Sequence, residues 1–199
     1  SGVWAENKIA TNVKAFIDGD GTDGIVANNV TLTAQDTSII TSDAGAASVA
    51  AAFAGTAAVS LSIGVTLSQN TISSEVEAYT KNADTKVEAR SGNITLSAIE
   101  NATITARALA ASLAAGIAGT AGISVSGAGA VATNIILNKV NAFAETSKLV
   151  SAINVVIGAV NNATILAKIL AGAASVGGGG VAGVGLSIGA SLAKNLIGW

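Results

Sequence analysis

The sequence predicts an all-β protein, a wide and flattened parallel β-solenoid in which one repeat of about 63 residues forms one coil. Two observations predict this fold: the chain nearly repeats itself, and long stretches alternate apolar residues with small polar ones. Four similar triplets mark the repeat; they begin at Asn7, Asn70, Asn134 and Asn195, at intervals of 63, 64 and 61 residues. Self-similarity at a fixed period is typical of arrays in which each unit buries its apolar face against its neighbours.

The whole chain, residues 1–199, is predicted to be one array without a domain boundary. Its copies cover approximately residues 3–63, 64–126 and 127–187, with a partial fourth copy at 188–199. The chain begins with Ser1, contains no methionine and stops just inside the fourth copy. We therefore expect it to be a piece of a longer polypeptide.

Each copy is predicted to contain one strand that enters a reversal, one long strand that returns through the asparagine triplet, and one or two shorter strands. The reversals are indicated by the glycines at Gly55, Gly119 and 177–180. After the first reversal, apolar residues at every second position from Val59 to Leu67 alternate with Ser, Gly and Thr. A period of two directs one face of a strand to a core and the other away from it. The short strands of the first two copies alternate in the same way.

Two other structures are compatible with parts of the sequence. The alanine-rich segments 44–54 and 106–115 could form helices, which would give an α+β repeat. Three segments of 25 or more residues carry no charge, namely 44–74, 108–138 and 169–193, and such runs can span membranes. They consist mostly of Ala, Gly, Ser and Thr and lack flanking aromatic belts, so membrane insertion is not expected.

The charged residues lie between these segments, so each repeat has an uncharged half and a charged half. Stacking of the copies would place Asn12, Glu75 and Lys139 in one column and Lys14, Glu77 and Asn141 in another. Each column would then pair a carboxylate with a cation in an adjacent coil, which is worth about 0.2–1 kcal/mol per pair. The uncharged halves would form a stripe of small side chains suited to lateral packing.

The four asparagines that open the triplets, Asn7, Asn70, Asn134 and Asn195, are predicted to form a structural ladder. Amide side chains in register can each donate a hydrogen bond to the next. The alternative is that each asparagine occupies a recurring turn.

Composition excludes several functions. The chain has no Cys and no His, which excludes disulfides, thiol chemistry and ordinary zinc sites. The net charge is −2 with only 22 charged side chains, so the basic surface of a nucleic-acid-binding protein is missing. Glu75 and Glu77 lack a companion base, as do the isolated hydroxyls of Ser48 and Ser112. We expect no catalytic residues, and the protein is not expected to be an enzyme.

One loop has the composition of a metal site. Asp18, Asp20 and Asp23 lie in a glycine-rich segment and resemble the start of a calcium loop, in which oxygen ligands at odd spacing converge on one cation. The bidentate glutamate expected further along is missing, and the equivalent loops of the other copies lack the pattern. Calcium is the only cofactor that the sequence suggests, and a solvated turn is the alternative.

The repeats resemble those of giant secreted bacterial proteins. The segments that carry the resemblance are 29–34 (NVTLTA), 43–48 (DAGAAS), 54–64 (AGTAAVSLSIG), 70–72 (NTI) and 76–79 (VEAY). Similar Ala/Gly-rich strand repeats occur in leukotoxin-type filamentous adhesins and in arrays found beside haemolysin-type calcium-binding modules.

The resemblance implies an extracellular or cell-surface location and a structural segment of a filament or giant adhesin. Such a segment is expected to associate with itself, end to end through its sheet edges and laterally between fibres. The alternative is a calcium-binding module, or one that binds a polysaccharide or ice through flat Thr/Ser/Ala faces. The third copy departs from the pattern, with Ile169-Leu170 and four consecutive glycines.

Overall fold

A computed structural model describes residues 1–198, and within that range every regular element is a β-strand. The first coil consists of β1 (Gly2–Asp18), β2 (Ile25–Ala27), β3 (Val30–Asp36) and β4 (Ile39–Ala54). The second consists of β5 (Ala57–Lys81), β6 (Val87–Ala89), β7 (Ile94–Glu100) and β8 (Thr103–Ala118). The third consists of β9 (Ala121–Glu145), β10 (Leu149–Ser151), β11 (Val155–Asn161) and β12 (Thr164–Gly179), and β13 (Ala182–Gly198) begins a fourth.

Successive coils stack as parallel strands. The long strands form a four-stranded sheet in the order β1-β5-β9-β13, and the other strands form three three-stranded sheets. Each strand pairs with its equivalent in the next coil, as in Asn7 with Asn70 and Asn70 with Asn134. The predicted parallel β-solenoid is therefore confirmed.

The order of elements within a coil also follows the prediction. β4 runs into a two-residue reversal at Gly55-Thr56, β5 returns through the asparagine triplet, and two shorter strands follow. The alternative of an α+β repeat is wrong, since segment 44–54 belongs to β4 and segment 106–115 to β8. These alanines alternate between a buried and an exposed face, and pairing with the next coil outweighs their helix propensity.

The uncharged half of each coil is patterned with its polar side chains inside. In β5 the small residues Ser60, Ser62 and Thr66 are buried, whereas Val59 and Leu61 are exposed. The expectation that small side chains would form the outer stripe is therefore wrong: they face the core, and the large aliphatic residues face out. The interior of this half is thin and leaves room only for small side chains, as two glycines show.

Two glycines show how closely the sheets approach in this half. A Cβ on Gly64 would lie 2.6 Å from the carbonyl oxygen of Ala111 in the opposing strand. A Cβ on Gly116 would overlap the backbone of Ile123. Real Cβ atoms do not approach backbone oxygens this closely, so the narrow part of the coil requires glycine at both positions.

The core is divided into three apolar clusters along the strands. The first is centred on Val76, Leu96 and Ala98 and the second on Ile72 and Ile104. The third is made of alanines from β8 and β9. Polar side chains lie between the clusters; Ser74 is between the first and second, and Asn70 is between the second and third. Buried polar groups of this kind must find hydrogen-bond partners inside the protein.

Candidate functional surfaces and core polar layers

Both outer faces of the uncharged half are apolar. On the long-strand sheet, Val59, Ile123 and Val184 form one exposed column. Trp4 and Leu67 lie together in another, and both are exposed. On the opposite sheet, the exposed apolar side chains are Val49, Phe53, Leu109, Leu113, Ile117, Leu170 and Val176. We call these two surfaces the apolar faces.

Charged columns bound the apolar faces. On one sheet, Glu6 and Lys194 lie in the same column, and on the other Asp43, Arg107 and Lys168 do. Between these columns and the reversals there is no charged residue. Exposed apolar patches of this extent are typical of interaction surfaces.

Inside the same half, hydroxyl groups bond to one another across the two sheets. Ser126 donates to Ser112 at 2.8 Å, Ser112 contacts Ser62 at 2.9 Å, and Ser62 donates to Ser48 at 2.8 Å. Ser48 and Ser112, isolated in the sequence, are thus members of one chain of hydroxyls. Each of them forms a hydrogen bond with a buried polar neighbour.

The predicted charge columns are formed. Lys14 lies 2.8 Å from Glu77, and Lys139 lies 2.7 Å from Glu75 and 3.4 Å from Glu77. The hydrogen bond from Lys14 holds the pKa of Glu77 below its ordinary value, with help from Asn141 and Lys139. In turn the hydrogen bond to Glu75 raises the pKa of Lys139. Glu75 and Glu77 are therefore ion-paired across coils.

The asparagine ladder is continuous through all four copies. Asn7 donates to Asn70 at 2.8 Å, Asn70 to Asn134 at 2.8 Å, and Asn134 to Asn195 at 2.9 Å. Asn70 and Asn134 are fully buried, so they lie within strands and not in turns. The side-chain amide of each asparagine therefore donates a hydrogen bond to the amide oxygen of the asparagine in the next coil.

A second ladder consists of aromatic rings. Phe16 and Tyr79 stack with ring centroids 5.2 Å apart, and Tyr79 and Phe143 stack at 4.9 Å. The aligned copies place Phe16, Tyr79 and Phe143 at matching positions, and this match could have predicted the stack.

The aspartate loop makes contacts to the second coil. Asp18 accepts a hydrogen bond from the Asn82 side chain at 2.8 Å, and Asp20 accepts one from the Lys86 backbone N–H at 2.6 Å. Gly19, Gly21 and Gly24 adopt positive φ, which allows the tight loop. Within residues 1–198, no group of three or more acidic side chains is gathered as for a metal. The assignment of calcium to Asp18, Asp20 and Asp23 stays a prediction.

Sequence reasoning missed a pair of carboxyl groups in the core. Asp36 and Glu100 are register partners in adjacent coils, and both are buried. Burial acts to raise the pKa of Asp36, but hydrogen bonds from Ser74, Thr11 and Ser38 outweigh it and lower that pKa. Burial raises the pKa of Glu100 to about 7, and the charge of Asp36 adds to this shift. Neither position belonged to a recognised motif.

In the part of the chain that the structure describes, no helix is long and apolar enough to cross a membrane. Comparison with protein-family models, with curated proteins and with solved structures returns no match to this chain.

Proposed function

We propose that this chain is a structural segment of an extracellular bacterial filament or giant adhesin, and that it associates with further copies of itself. The observation that carries the proposal is the stack of parallel coils: within residues 1–198, the outermost strand at each end of every sheet is hydrogen-bonded to a neighbouring strand on one side. Unpaired strand edges are templates for another chain. The function is mechanical, with hydrogen bonds between coils bearing load, and no catalytic group is involved. The extracellular location rests on the resemblance of the repeats.

The two ends of the stack are complementary over most of their width. A second copy can place its β2, β3 and β4 on the open edges of β10, β11 and β12, continuing each sheet. Core positions of the third coil would then be covered: Ile157, the register partner of buried Leu96, is 43% exposed at this end. Covering such side chains contributes about 25 cal/mol per Å² of apolar area.

One overlap limits this fit. Residues 2–10 of β1 and residues 190–198 of β13 occupy equivalent columns, because Gly2 and Ala190 both align with Val65 and Gly129. If two copies stacked in direct contact, β13 of one copy and β1 of the other would compete for these nine positions. A chain that lacks residues 1–10 is therefore expected to polymerise faster than the full chain, as followed by light scattering and electron microscopy.

A matched pair of variants tests the end-to-end contact. Ile157→Lys places a charge toward the core of the next coil, whereas Val156→Lys places one on the outer surface of the same strand. The two side chains are similarly exposed, at 43% and 48%. Filaments by electron microscopy are expected from Val156→Lys and the unmodified chain, and Ile157→Lys should abolish them. Equal polymerisation of both variants, or strictly monomeric unmodified chain at high concentration, would contradict the proposal.

Lateral association follows from the apolar faces. One apolar face is about eleven residues long, at ~3.3 Å per residue, and three strands wide, at ~4.8 Å per strand, so its area is roughly 500 Å². A stable interface buries about 800 Å² per partner. One face of three coils is therefore too small, but a filament adds area with every copy. We expect bundling to depend on prior end-to-end growth.

The lateral contact has its own variant. Leu61→Lys introduces a charge into an apolar face, and Gln69→Lys introduces one at its charged border. Leu61→Lys is expected to give single filaments, whereas Gln69→Lys should still give bundles. Bundles from both variants, or transfer of the unmodified chain from bundles to lipid vesicles, would contradict lateral association between copies.

The alternative of a surface-binding module has less support. Ser60, Ser62 and Thr66, which would supply hydroxyls to a polysaccharide or to ice, are directed into the core. A calcium-binding role of the aspartate loop remains to be tested by calcium-dependent thermal unfolding with Asp20→Ala as control.

A further inference from the structure

A polar layer crosses the core between the first two apolar clusters. One side of the layer is the column Thr11, Ser74 and Asn138, which belongs to the long-strand sheet. The other side is the column Asp36, Glu100 and Asn161. Ser74 joins the two sides, because its hydroxyl donates to Asp36 at 2.6 Å. We call these six positions the carboxylate layer.

The first coil of this layer is satisfied by hydroxyl groups. Asp36 accepts hydrogen bonds from Thr11 at 2.7 Å, from Ser74 at 2.6 Å and from Ser38 at 2.9 Å. These donors account for both of its carboxylate oxygens. Asp36 can therefore stay ionised inside the protein without a cation of its own.

In the second and third coils, two buried polar residues of the layer lack side-chain hydrogen-bond partners. Glu100 is fully buried, and no side chain donates a hydrogen bond to its carboxylate oxygens. The backbone N–H of Ala102 is the group that acts against the rise in the pKa of Glu100. Asn138, 3% exposed, has no partner for its Oδ1 or its Nδ2. Both residues face the same interior: Asn138 is the register partner of Ser74, and Glu100 is the register partner of Asp36.

The layer contains two carboxyl groups and no basic side chain. Removing one uncompensated charge from water costs several kcal/mol, so such groups are paired or bind metals. The nearby Lys14 and Lys139 do not serve this purpose, since both pair with Glu75 and Glu77. The oxygen atoms of the layer that lack a side-chain donor are the two carboxylate oxygens of Glu100 and the amide oxygen of Asn138, and hard divalent cations prefer such oxygen ligands.

We propose that the carboxylate layer binds a divalent cation such as Ca²⁺, held by the Glu100 carboxylate and Asn138 Oδ1 beside the charge of Asp36. The site lies in the core and is separate from the aspartate loop at residues 18–23. It would link the second coil to the third through an interaction that runs along the fibre axis. The inference does not depend on self-association.

Calcium binding to the metal-free full chain at pH 8 tests the proposal by isothermal titration calorimetry and thermal unfolding. One saturable site is expected, with a rise in Tm on addition of Ca²⁺. Glu100→Gln removes the charge at nearly constant shape and should weaken binding at least about tenfold. Glu75→Gln, which changes a half-buried, ion-paired residue outside the layer, and the loop variant Asp20→Asn are expected to keep the core site.

Weaker binding in Glu100→Gln could also result from misfolding, so a variant that is expected to bind Ca²⁺ more tightly is included. Asn138→Asp adds a third carboxylate and should bind Ca²⁺ more tightly than the unmodified chain. The proposal is overturned by any of three results: no saturable binding at millimolar Ca²⁺, undiminished binding in Glu100→Gln, or loss of all binding in Asp20→Asn. The first would mean that water or a proton satisfies the layer, and the last would assign calcium to the aspartate loop.

Discussion

Asn70 donates a hydrogen bond to Asn134 at 2.8 Å, although the two residues are 64 positions apart and both are fully buried. The bond runs parallel to the hydrogen bonds between the coils and repeats from Asn7 to Asn195. Since Asn70 and Asn134 each donate one of these bonds and accept another, neither can be removed without leaving its neighbours unsatisfied.

Asn70→Ala is therefore expected to lower the free energy of unfolding by about 1–3 kcal/mol, because Asn134 Oδ1 loses its donor in the core. Gln69→Ala, on the exposed side of the same strand, should change it by less than about 0.5 kcal/mol. Urea denaturation followed by circular dichroism measures both. Equal effects would show that the ladder adds nothing to stability.

Tyr79 lies between Phe16 and Phe143, and each stacked pair is worth about 0.5–1.5 kcal/mol beyond the area it buries. Tyr79→Ala should therefore cost about 1–3 kcal/mol of unfolding free energy, whereas Tyr79→Phe keeps both stacks and should be nearly neutral. If Tyr79→Phe proves as harmful as Tyr79→Ala, the stability comes from the hydroxyl and not from the stack.

Gly64→Ala should destabilise the fold by about 1–3 kcal/mol, because its Cβ would lie 2.6 Å from the Ala111 carbonyl oxygen. Gly129→Ala provides the control, since a Cβ there meets no atom within 4 Å. Thermal unfolding of the two variants compares a glycine required by close sheets with one that is not. A tolerated Gly64→Ala would mean that the sheets can separate at little cost.

Acid should weaken the charge columns. The pKa of Glu77 is lower in the folded protein than its ordinary value of 4.5, mainly through the hydrogen bond from Lys14. Its stabilising contribution is thus present above the pKa of the unfolded chain and is lost as pH falls through the folded pKa. Glu77→Gln is expected to reduce the loss of Tm between pH 6 and pH 3. An unchanged pH profile would show that the pairing contributes no net stability.

Much of the fold could be predicted because the repeat makes equivalent residues neighbours. Aligned copies place Asn70 beside Asn134 and Glu75 beside Lys139, and the structure confirms both. The same alignment contained the Phe16–Tyr79 stack, which needed only the assumption that the rings face each other. Asp36 and Glu100 were harder to predict, because like charges in register are ordinarily avoided.

The sequence by itself determined the strands, their register and the order of elements in a coil, because the repeat period and the alternation can be read directly from the order of the residues. The tertiary structure alone decided which face of the alternation is buried. Alternation specifies two faces and does not say which one meets the opposing sheet; the close approach at Gly64 and Gly116 admits only small side chains between the sheets. Ser62 is therefore inside and Leu61 outside.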